Sequence, residues 1–105
     1  MRIVLTTCPI DKSKKLIDEV LKSRLAACAN EIELFRSRFW WKGKIDEERE
    51  SLIMFKTRKE LVQRLFKKIR EIHPYEVPEI VELKVGKVYN KYLKWLKDAT
   101  RAQGP

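Results

Sequence analysis

The sequence has little of what marks several protein classes. Among its 105 residues are two cysteines, one histidine and three glycines, and no apolar run is long enough to span a bilayer. Two cysteines, Cys8 and Cys28, are too few for a secreted disulfide scaffold. The first residues lack the apolar run of a signal peptide, because charged residues follow at once. We therefore expect a cytoplasmic protein without a membrane-spanning segment.

Catalytic motifs are also lacking. The sequence contains no nucleophile elbow, phosphate loop, dinucleotide fingerprint or paired-cysteine zinc motif. Adjacent carboxylates such as Glu47 and Glu48 are typical of solvated strands and turns rather than of buried acid–base pairs. The sequence therefore predicts no enzymatic reaction.

The composition is that of a globular domain with an excess of positive charge. Hydrophobic residues make up 44% of the chain and charged residues 37%, which suits one domain over residues 1–105 with one core. Twenty-four Lys and Arg against fifteen Asp and Glu give a net charge of +9, which attracts anions. Acids are interleaved with bases, which indicates a solvated surface. Abundant Lys and Glu are also typical of heat-adapted proteins.

Hydrophobic periodicity predicts strands and helices on either side of a central hairpin. A T-x-x-E pattern at Thr57 and Glu60 predicts a capping box at the start of the second helix. Residues 27–57 lack helical spacing and predict one long hairpin that turns at Gly43. The other predicted elements are a strand at 2–7, helices at 12–25 and 61–72, a strand at 79–85, a short helix at 89–101 and a loose tail at 102–105.

This order of elements, β-α-β-β-α-β with an extra C-terminal helix, predicts an α+β fold. It is the ferredoxin-like arrangement, in which helices cover one face of an antiparallel sheet. Each arm of the hairpin has room for about 12 to 14 residues, or about 40 Å of strand. A domain of this length has a radius of gyration near 13 Å, so we expect the hairpin to overhang its own domain.

The segment "FRSRFWW" at 35–41 places aromatic residues on the overhanging hairpin. Because side chains alternate along a strand, Trp40 and Trp41 should face opposite ways. An exposed aromatic edge is an aggregation hazard unless another chain pairs with it. The predicted faces are Phe35, Ser37, Phe39 and Trp41 on one side, and Leu34, Arg36, Arg38 and Trp40 on the other.

Nucleic acid is one alternative cover for these rings. Basic side chains around stacking rings bind single strands, and Arg36, Arg38, Lys42 and Lys44 surround the aromatic residues here. The usual signature, a basic residue followed by alternating glycine and aromatic residues, is absent. Tryptophans that face opposite ways also form no single stacking surface. Nucleic acid is therefore not expected as a partner.

His73 is the only histidine and the first candidate for a metal ligand. Thiolates of Cys8 or Cys28 would suit a soft ion such as Cu(I), whereas Glu76 and Glu79 would suit harder ions. One histidine cannot make a site alone. The alternative is that His73 ends a helix and hydrogen-bonds the adjoining loop.

Several short motifs give the chain a family resemblance that runs nearly from end to end. Together they resemble the CutA1 divalent-cation-tolerance family, with the motifs in family order. The motifs are "RLAACAN" at 24–30, "WWKGKID" at 40–46, "KTR" at 56–58, "HPYEVPEI" at 73–80 and "YLKWL" at 92–96.

The resemblance implies a homotrimer in which long hairpins extend sheets across subunit boundaries. In that trimer Phe39, Trp40 and Trp41 would lie at the interface, with one tryptophan packed on its own subunit and the other on the next. It also implies binding of a divalent metal, with copper as the candidate, and a fold like that of PII signalling proteins. The alternative function is a PII-like sensor that binds an anionic small molecule or nucleotide in the cleft between subunits.

The resemblance also suggests where a metal would bind. In a bacterial relative the proposed copper ligands are a first-strand cysteine and two consecutive histidines. Here Thr6 occupies the first-strand position, with Cys8 two residues on, and His73 is the one histidine of the pair. The resulting prediction is a site between subunits that uses His73, Tyr75, Glu76 or Glu79, with His73, Glu76 and Glu79 as the selected ligands.

Overall fold

The computed structural model describes residues 1–101 and shows strands and helices in the predicted order. The predicted tail at 102–105 lies outside the described residues. A short 3-10 turn at Lys59–Leu61 precedes the second α-helix. The elements are β1 (Arg2–Pro9), α1 (Ile10–Lys22), β2 (Cys28–Trp41), β3 (Lys44–Thr57), α2 (Val62–Ile72), β4 (Ile80–Lys84) and α3 (Asn90–Ala99).

The four strands form one antiparallel sheet in the order β2-β3-β1-β4. β1 lies at the centre, where it pairs with β3 on one side and β4 on the other. β2 and β4 are therefore the two edges. This confirms the predicted ferredoxin-like α+β fold with an extra C-terminal helix.

The core lies between one face of the sheet and the helices α1 and α2. Each helix supplies apolar residues four positions apart, which stack on one side of a helix, such as Leu16 with Val20 and Leu65 with Ile69. The sheet supplies alternate residues, because every second side chain points to the same face. Phe55 and Ile53 of β3 are fully buried there. Burying each such side chain contributes about 1.5–3 kcal/mol at most.

α1 ends three residues earlier than predicted, and the backbone shows why. Arg24 adopts a left-handed φ of 62°. The Leu25 N–H donates to the Val20 carbonyl and the Arg24 N–H to the Leu21 carbonyl. This pair of bonds is a Schellman motif, which closes a helix. Leu25 then packs against the core rather than continuing the helix.

The predicted capping box at the start of the second helix is wrong. Thr57 is the last residue of β3, where it pairs with Arg2, and its Oγ1 donates to the Leu25 carbonyl at 2.7 Å. Neither the 3-10 turn nor α2 has a side-chain cap. The strand extends through Thr57, so the hydroxyl serves a tertiary contact and Glu60 has no capping partner.

Candidate functional site

The central hairpin leaves its own domain, as the sequence predicts. β1 pairs with β3 only from Glu50 onward, so residues 35–49, which we call the hairpin tip, pair only with each other. Lys42 and Gly43 both have positive φ, 50° and 78°. Two such residues form the type I′ turn, which follows the twist of a long hairpin. The radius of gyration is 14.6 Å, against about 13 Å for a compact domain of this length.

A β-bulge in β2 corrects the predicted faces of the hairpin. Leu34 pairs with Glu50 but Ser37 pairs with Glu48, so two residues of β2 oppose one of β3. The extra residue reverses the alternation. Phe35 therefore leaves the side of Phe39, where the simple alternation had placed it. It joins the other side, which carries Arg36, Arg38 and Trp40.

Trp40 and Trp41 face opposite ways, as predicted, since they pair with consecutive residues of β3. Trp40 is 74% exposed and Trp41 39%. The ammonium of Lys42 lies 5.9 Å from the ring centre of Trp41. Neither ring belongs to the core, so a single chain leaves apolar surface bare on both sides of the hairpin tip. The assignment of one ring to its own subunit and the other to a neighbour stays a prediction.

The bulged side of the hairpin tip combines an aromatic ring with cations. The guanidinium groups of Arg36 and Arg49 each lie 5.6 Å from the ring centre of Phe35, within cation–π range. Glu47 pairs with Arg36 at 3.3 Å and with Arg38 at 3.6 Å. These pairs are more than half exposed, so they contribute little to stability. The Phe35 ring itself is 74% exposed.

The sequence analysis missed a second apolar surface, the sheet face turned away from α1 and α2, which we call the open face. Val81 and Leu83 of β4 lie there, 41% and 43% exposed. The strand register places them beside apolar residues of β1 and β3. The signal was available, because continuous apolar runs such as 3–5 and 52–55 are typical of strands covered on both faces. The open face comprises Ile3, Leu5, Ile32, Leu52, Met54, Val81 and Leu83.

The loop at 73–79 is fastened to the end of β1 by His73. The Tyr75 N–H donates to Nδ1 of His73 at 3.1 Å, so Nδ1 carries no proton. Nε2 therefore carries the proton and donates to the Thr7 carbonyl at 2.8 Å. Burial lowers the pKa of His73, while the Thr7 carbonyl and Glu50 act in the opposite direction. His73 is thus a neutral, buried residue whose two ring nitrogens are both occupied, as the structural alternative predicted.

Two carboxylates accept hydrogen bonds from hydroxyl groups. Glu50 is only 5% exposed and accepts a hydrogen bond of 2.7 Å from the Tyr75 hydroxyl. Burial, and then Glu50, raise the pKa of Tyr75, so the donor keeps its proton. Oε2 of Glu31 accepts hydrogen bonds from the hydroxyls of Ser13 and Ser51. Both carboxylates are thus held by neutral donors.

The two cysteines are free thiols with different surroundings. Burial, followed by the negative charges of Glu31 and Glu50, raises the pKa of Cys8 to about 11. A metal needs the thiolate, so Cys8 is a poor ligand at neutral pH. Sγ of Cys28 lies 3.7 Å from Oδ1 of Asn30 on the edge strand.

The predicted metal ligands do not come together within one chain. Glu76 and Glu79 are exposed on the loop, whereas His73 is buried. Within residues 1–101, no three His, Cys, Asp or Glu side chains are close enough to hold a metal ion. Thr6, at the position of the relative's cysteine, is fully buried, and its Oγ1 has no hydrogen-bond partner in the described part of the chain. The chain's own donors thus do not fit a complete site, and the predicted ligand set stays a prediction.

Among the helices of residues 1–101, none is both long and apolar enough to cross a membrane.

The fold and its exposed surfaces define a class of small α+β protein. Its members have a ferredoxin-like sheet, helices on one face and a hairpin that projects beyond the domain. Comparison with known families identifies the particular one. The model of the CutA1 divalent ion tolerance protein family matches residues 2–99, and the chain belongs to that family.

Individual relatives are similar in sequence and structure to nearly the whole chain. The divalent-cation tolerance protein CutA of Pyrococcus horikoshii is 44% identical over 102 residues, which is 96% of this chain and 99% of that protein. A crystal structure of CutA1 from the same organism has a TM-score of 0.92 at 43% identity and covers 97% of this chain and 100% of that chain.

Two further solved structures show how widely the family is described. A protein from Nostoc sp., described as PII-like protein CutA, has a TM-score of 0.91 at 30% identity, covering 96% of this chain and 98% of that chain. A relative from Archaeoglobus fulgidus, described as periplasmic, has the same TM-score at 26% identity, covering 96% and 100%.

Proposed function

We propose that this chain acts as a homotrimeric divalent-cation tolerance protein in the cytoplasm, with metal bound at a subunit boundary. One observation carries the proposal: the hairpin tip projects from the domain with Trp40 and Trp41 exposed on opposite sides. A soluble chain rarely leaves such rings bare, because contiguous apolar surface promotes association.

The open face supports the same conclusion. It adds a second apolar surface on the side of the sheet that α1 and α2 leave uncovered. Each large side chain that becomes buried between chains contributes about 1.5–3 kcal/mol, and aromatic side chains bury the most area. The hairpin tip and the open face therefore favour a second copy as the cover.

The edges of the sheet favour a ring. The two edge strands of the sheet, β2 and β4, differ from each other, and within the hairpin tip the outer edge of β3 is free as well. Pairing of one edge with the opposite edge of a neighbour is a head-to-tail contact, which gives a ring when the rotation closes. Three copies is the number that the family resemblance implies.

Substitutions in the hairpin tip test the assembly. Trp40→Ala and Trp41→Ala should each weaken the trimer, because each removes apolar area at a subunit boundary. The readout is sedimentation velocity over a dilution series. Trp95→Ala is the matched control, since Trp95 is also exposed but lies on α3. A trimer that dissociates at the same concentration in both hairpin variants and the unmodified chain would contradict this role.

The metal part of the proposal uses the exposed loop. Glu76 and Glu79 supply carboxylate oxygens, which suit divalent cations, and a neighbouring chain completes the set. Coordination by His73 requires that it give up one of its two hydrogen bonds. The carboxylates therefore bind first, and His73 follows only if the loop moves.

Equilibrium dialysis against Cu(II) tests this site. The unmodified protein should bind copper saturably, and the double variant Glu76→Gln/Glu79→Gln should bind it at least about tenfold more weakly. Glu60→Gln/Glu71→Gln removes the same charge from exposed positions elsewhere and should bind as the unmodified protein does. Equal loss in both double variants would show a general charge effect and remove Glu76 and Glu79 from the site.

The cytoplasmic location rests on the thiols. Cys8 and Cys28 are both free, and free thiols persist in reducing compartments. Fractionation of cells that express the chain at native level is the direct measurement, and recovery outside the cytoplasmic fraction would contradict the assignment.

A further inference from the structure

A groove runs between α2 and the start of β4, on the helix side of the domain and away from the hairpin tip. Its volume is about 430 Å³, which lies in the range of small-molecule sites. One chain forms the whole groove. It is lined by Gln63, Arg64, Phe66, Lys67, Arg70 and Ile80.

The groove gathers positive charge without a neutralising acid. Arg64, Lys67 and Arg70 lie three residues apart on α2, so they span about 9 Å along the helix axis. No Asp or Glu lines the groove. Within residues 1–101 none of the three cations is within 4.0 Å of a carboxylate oxygen, whereas the neighbouring Lys68 pairs with Glu19. Unpaired cations around a concave surface concentrate anions.

The floor of the groove is apolar and firmly supported. Phe66 and Ile80 are half-buried and pack against the core. Gln63 adds an amide, which both donates and accepts hydrogen bonds. A ligand for this surface therefore needs negative charge on one side and an apolar or aromatic part on the other.

We propose that the groove binds a small organic phosphate. The phosphate oxygens bind Arg64 and Arg70, whose guanidinium groups match phosphate oxygens in pairs, and the ammonium group of Lys67. The ring or carbon chain of the ligand packs on Phe66 and Ile80. This site goes beyond the proposed function, because it lies within one chain and needs neither metal nor a second copy.

A second copy is the competing occupant, and charge argues against it. The bulged side of the hairpin tip carries three arginines, Arg36, Arg38 and Arg49, against one carboxylate, Glu47. Its net charge is therefore positive, like that of the groove, and like charges repel. A free phosphate compound has no such conflict.

Isothermal titration with adenosine diphosphate and with inorganic pyrophosphate, in buffer with a metal chelator, tests the site. At low salt, adenosine diphosphate should bind about tenfold or more tightly than pyrophosphate, because only the nucleotide has a part that reaches the apolar floor. The triple variant Arg64→Gln/Lys67→Gln/Arg70→Gln should weaken binding by about tenfold or more. The control Lys12→Gln/Lys15→Gln/Lys91→Gln removes the same charge from exposed positions and should change affinity by less than about threefold.

Three results of the binding experiment would overturn the proposal. No binding by the unmodified protein removes the site. Equally weakened binding in both triple variants would show only diffuse attraction of an anion to a basic protein. Equal affinity for the two probes would show that the apolar floor does not contribute to binding. Sedimentation of the groove variant tests this proposal separately from the proposed assembly. We expect the oligomeric state of the variant to be unchanged. Dissociation would identify the groove as a contact surface for another copy of the chain.

Discussion

The hydroxyl of Tyr75 donates a hydrogen bond of 2.7 Å to Oε2 of Glu50, a carboxylate that is 5% exposed. Glu50 is the residue at which β3 leaves β1 and becomes the hairpin tip. The bond therefore joins the loop that carries the predicted metal ligands to the root of the projecting hairpin. A structural change in the loop is therefore expected to affect the hairpin, and a change in the hairpin to affect the loop.

Removal of the Tyr75 hydroxyl tests this connection. Tyr75→Phe leaves the buried Glu50 carboxylate without its donor, so the free energy of unfolding should fall by about 1–3 kcal/mol. Urea denaturation at pH 7 and fixed protein concentration is the measurement. Tyr89→Phe is the control, because Tyr89 is exposed and should change little. A Tyr75→Phe variant as stable as the control would contradict the account.

The turn of the hairpin gives a second prediction. Gly43 has a φ of 78°, whereas Gly86 has no positive φ, and an added Cβ meets no atom within 4 Å at either position. Gly43→Ala should therefore cost about 1 kcal/mol through backbone strain alone. Gly86→Ala should leave stability unchanged or raise it by about 0.4–1 kcal/mol. Thermal melts of the two variants side by side decide the point, and equal shifts would exclude backbone strain as the cause.

Acid should weaken the fold through His73. Burial lowers the pKa of His73 below its ordinary value of 6.5, so the unfolded chain binds a proton at a higher pH than the folded chain does. The free energy of unfolding should then fall as pH drops below about 6.5, until the folded pKa is passed. A protonated Nδ1 also cannot accept the Tyr75 N–H.

Denaturation in metal-free buffer from pH 7.5 to 5 measures this effect. His73→Gln removes the titrating group and should flatten the slope in that window, even if the variant is less stable throughout. An unchanged slope in His73→Gln would assign the acid sensitivity to other groups.

The two thiols should differ in reactivity. The pKa of Cys8 is raised to about 11 by burial and nearby carboxylates, so little thiolate exists at pH 8.5, and the side chain is fully buried. Mass spectrometry after iodoacetamide treatment of the folded protein should find Cys8 unmodified. Denatured protein is the control, in which both thiols should react. Rapid alkylation of Cys8 in the folded protein would show that the first strand opens readily.

Local sequence signals were enough for the elements of the fold. Gly43 between lysines located the turn, and the spacing of Leu65 and Ile69 located the face of α2, because each signal depends on residues close in the chain. The bulge between Leu34 and Ser37 was not predictable from strand alternation. The capping box failed for a related reason, since the hydroxyl of Thr57 has a distant partner in Leu25.

The candidate sites depended even more on distant contacts. The sequence singled out His73, but its partner Thr7 lies 66 positions away. The groove forms only because the fold places Ile80 of β4 beside α2. The three-residue spacing of its cations is, by itself, typical of a solvated helix face. Apolar runs in β1 and β3 were visible, but only the sheet order shows that they form one open face.

The most direct test of the account is the mass of the unmodified protein in solution. Sedimentation equilibrium at micromolar concentration should give a single species of three times the 12.6 kDa chain mass, because we propose that other copies cover the hairpin tip and the open face. A stable monomer at that concentration would contradict the central claim.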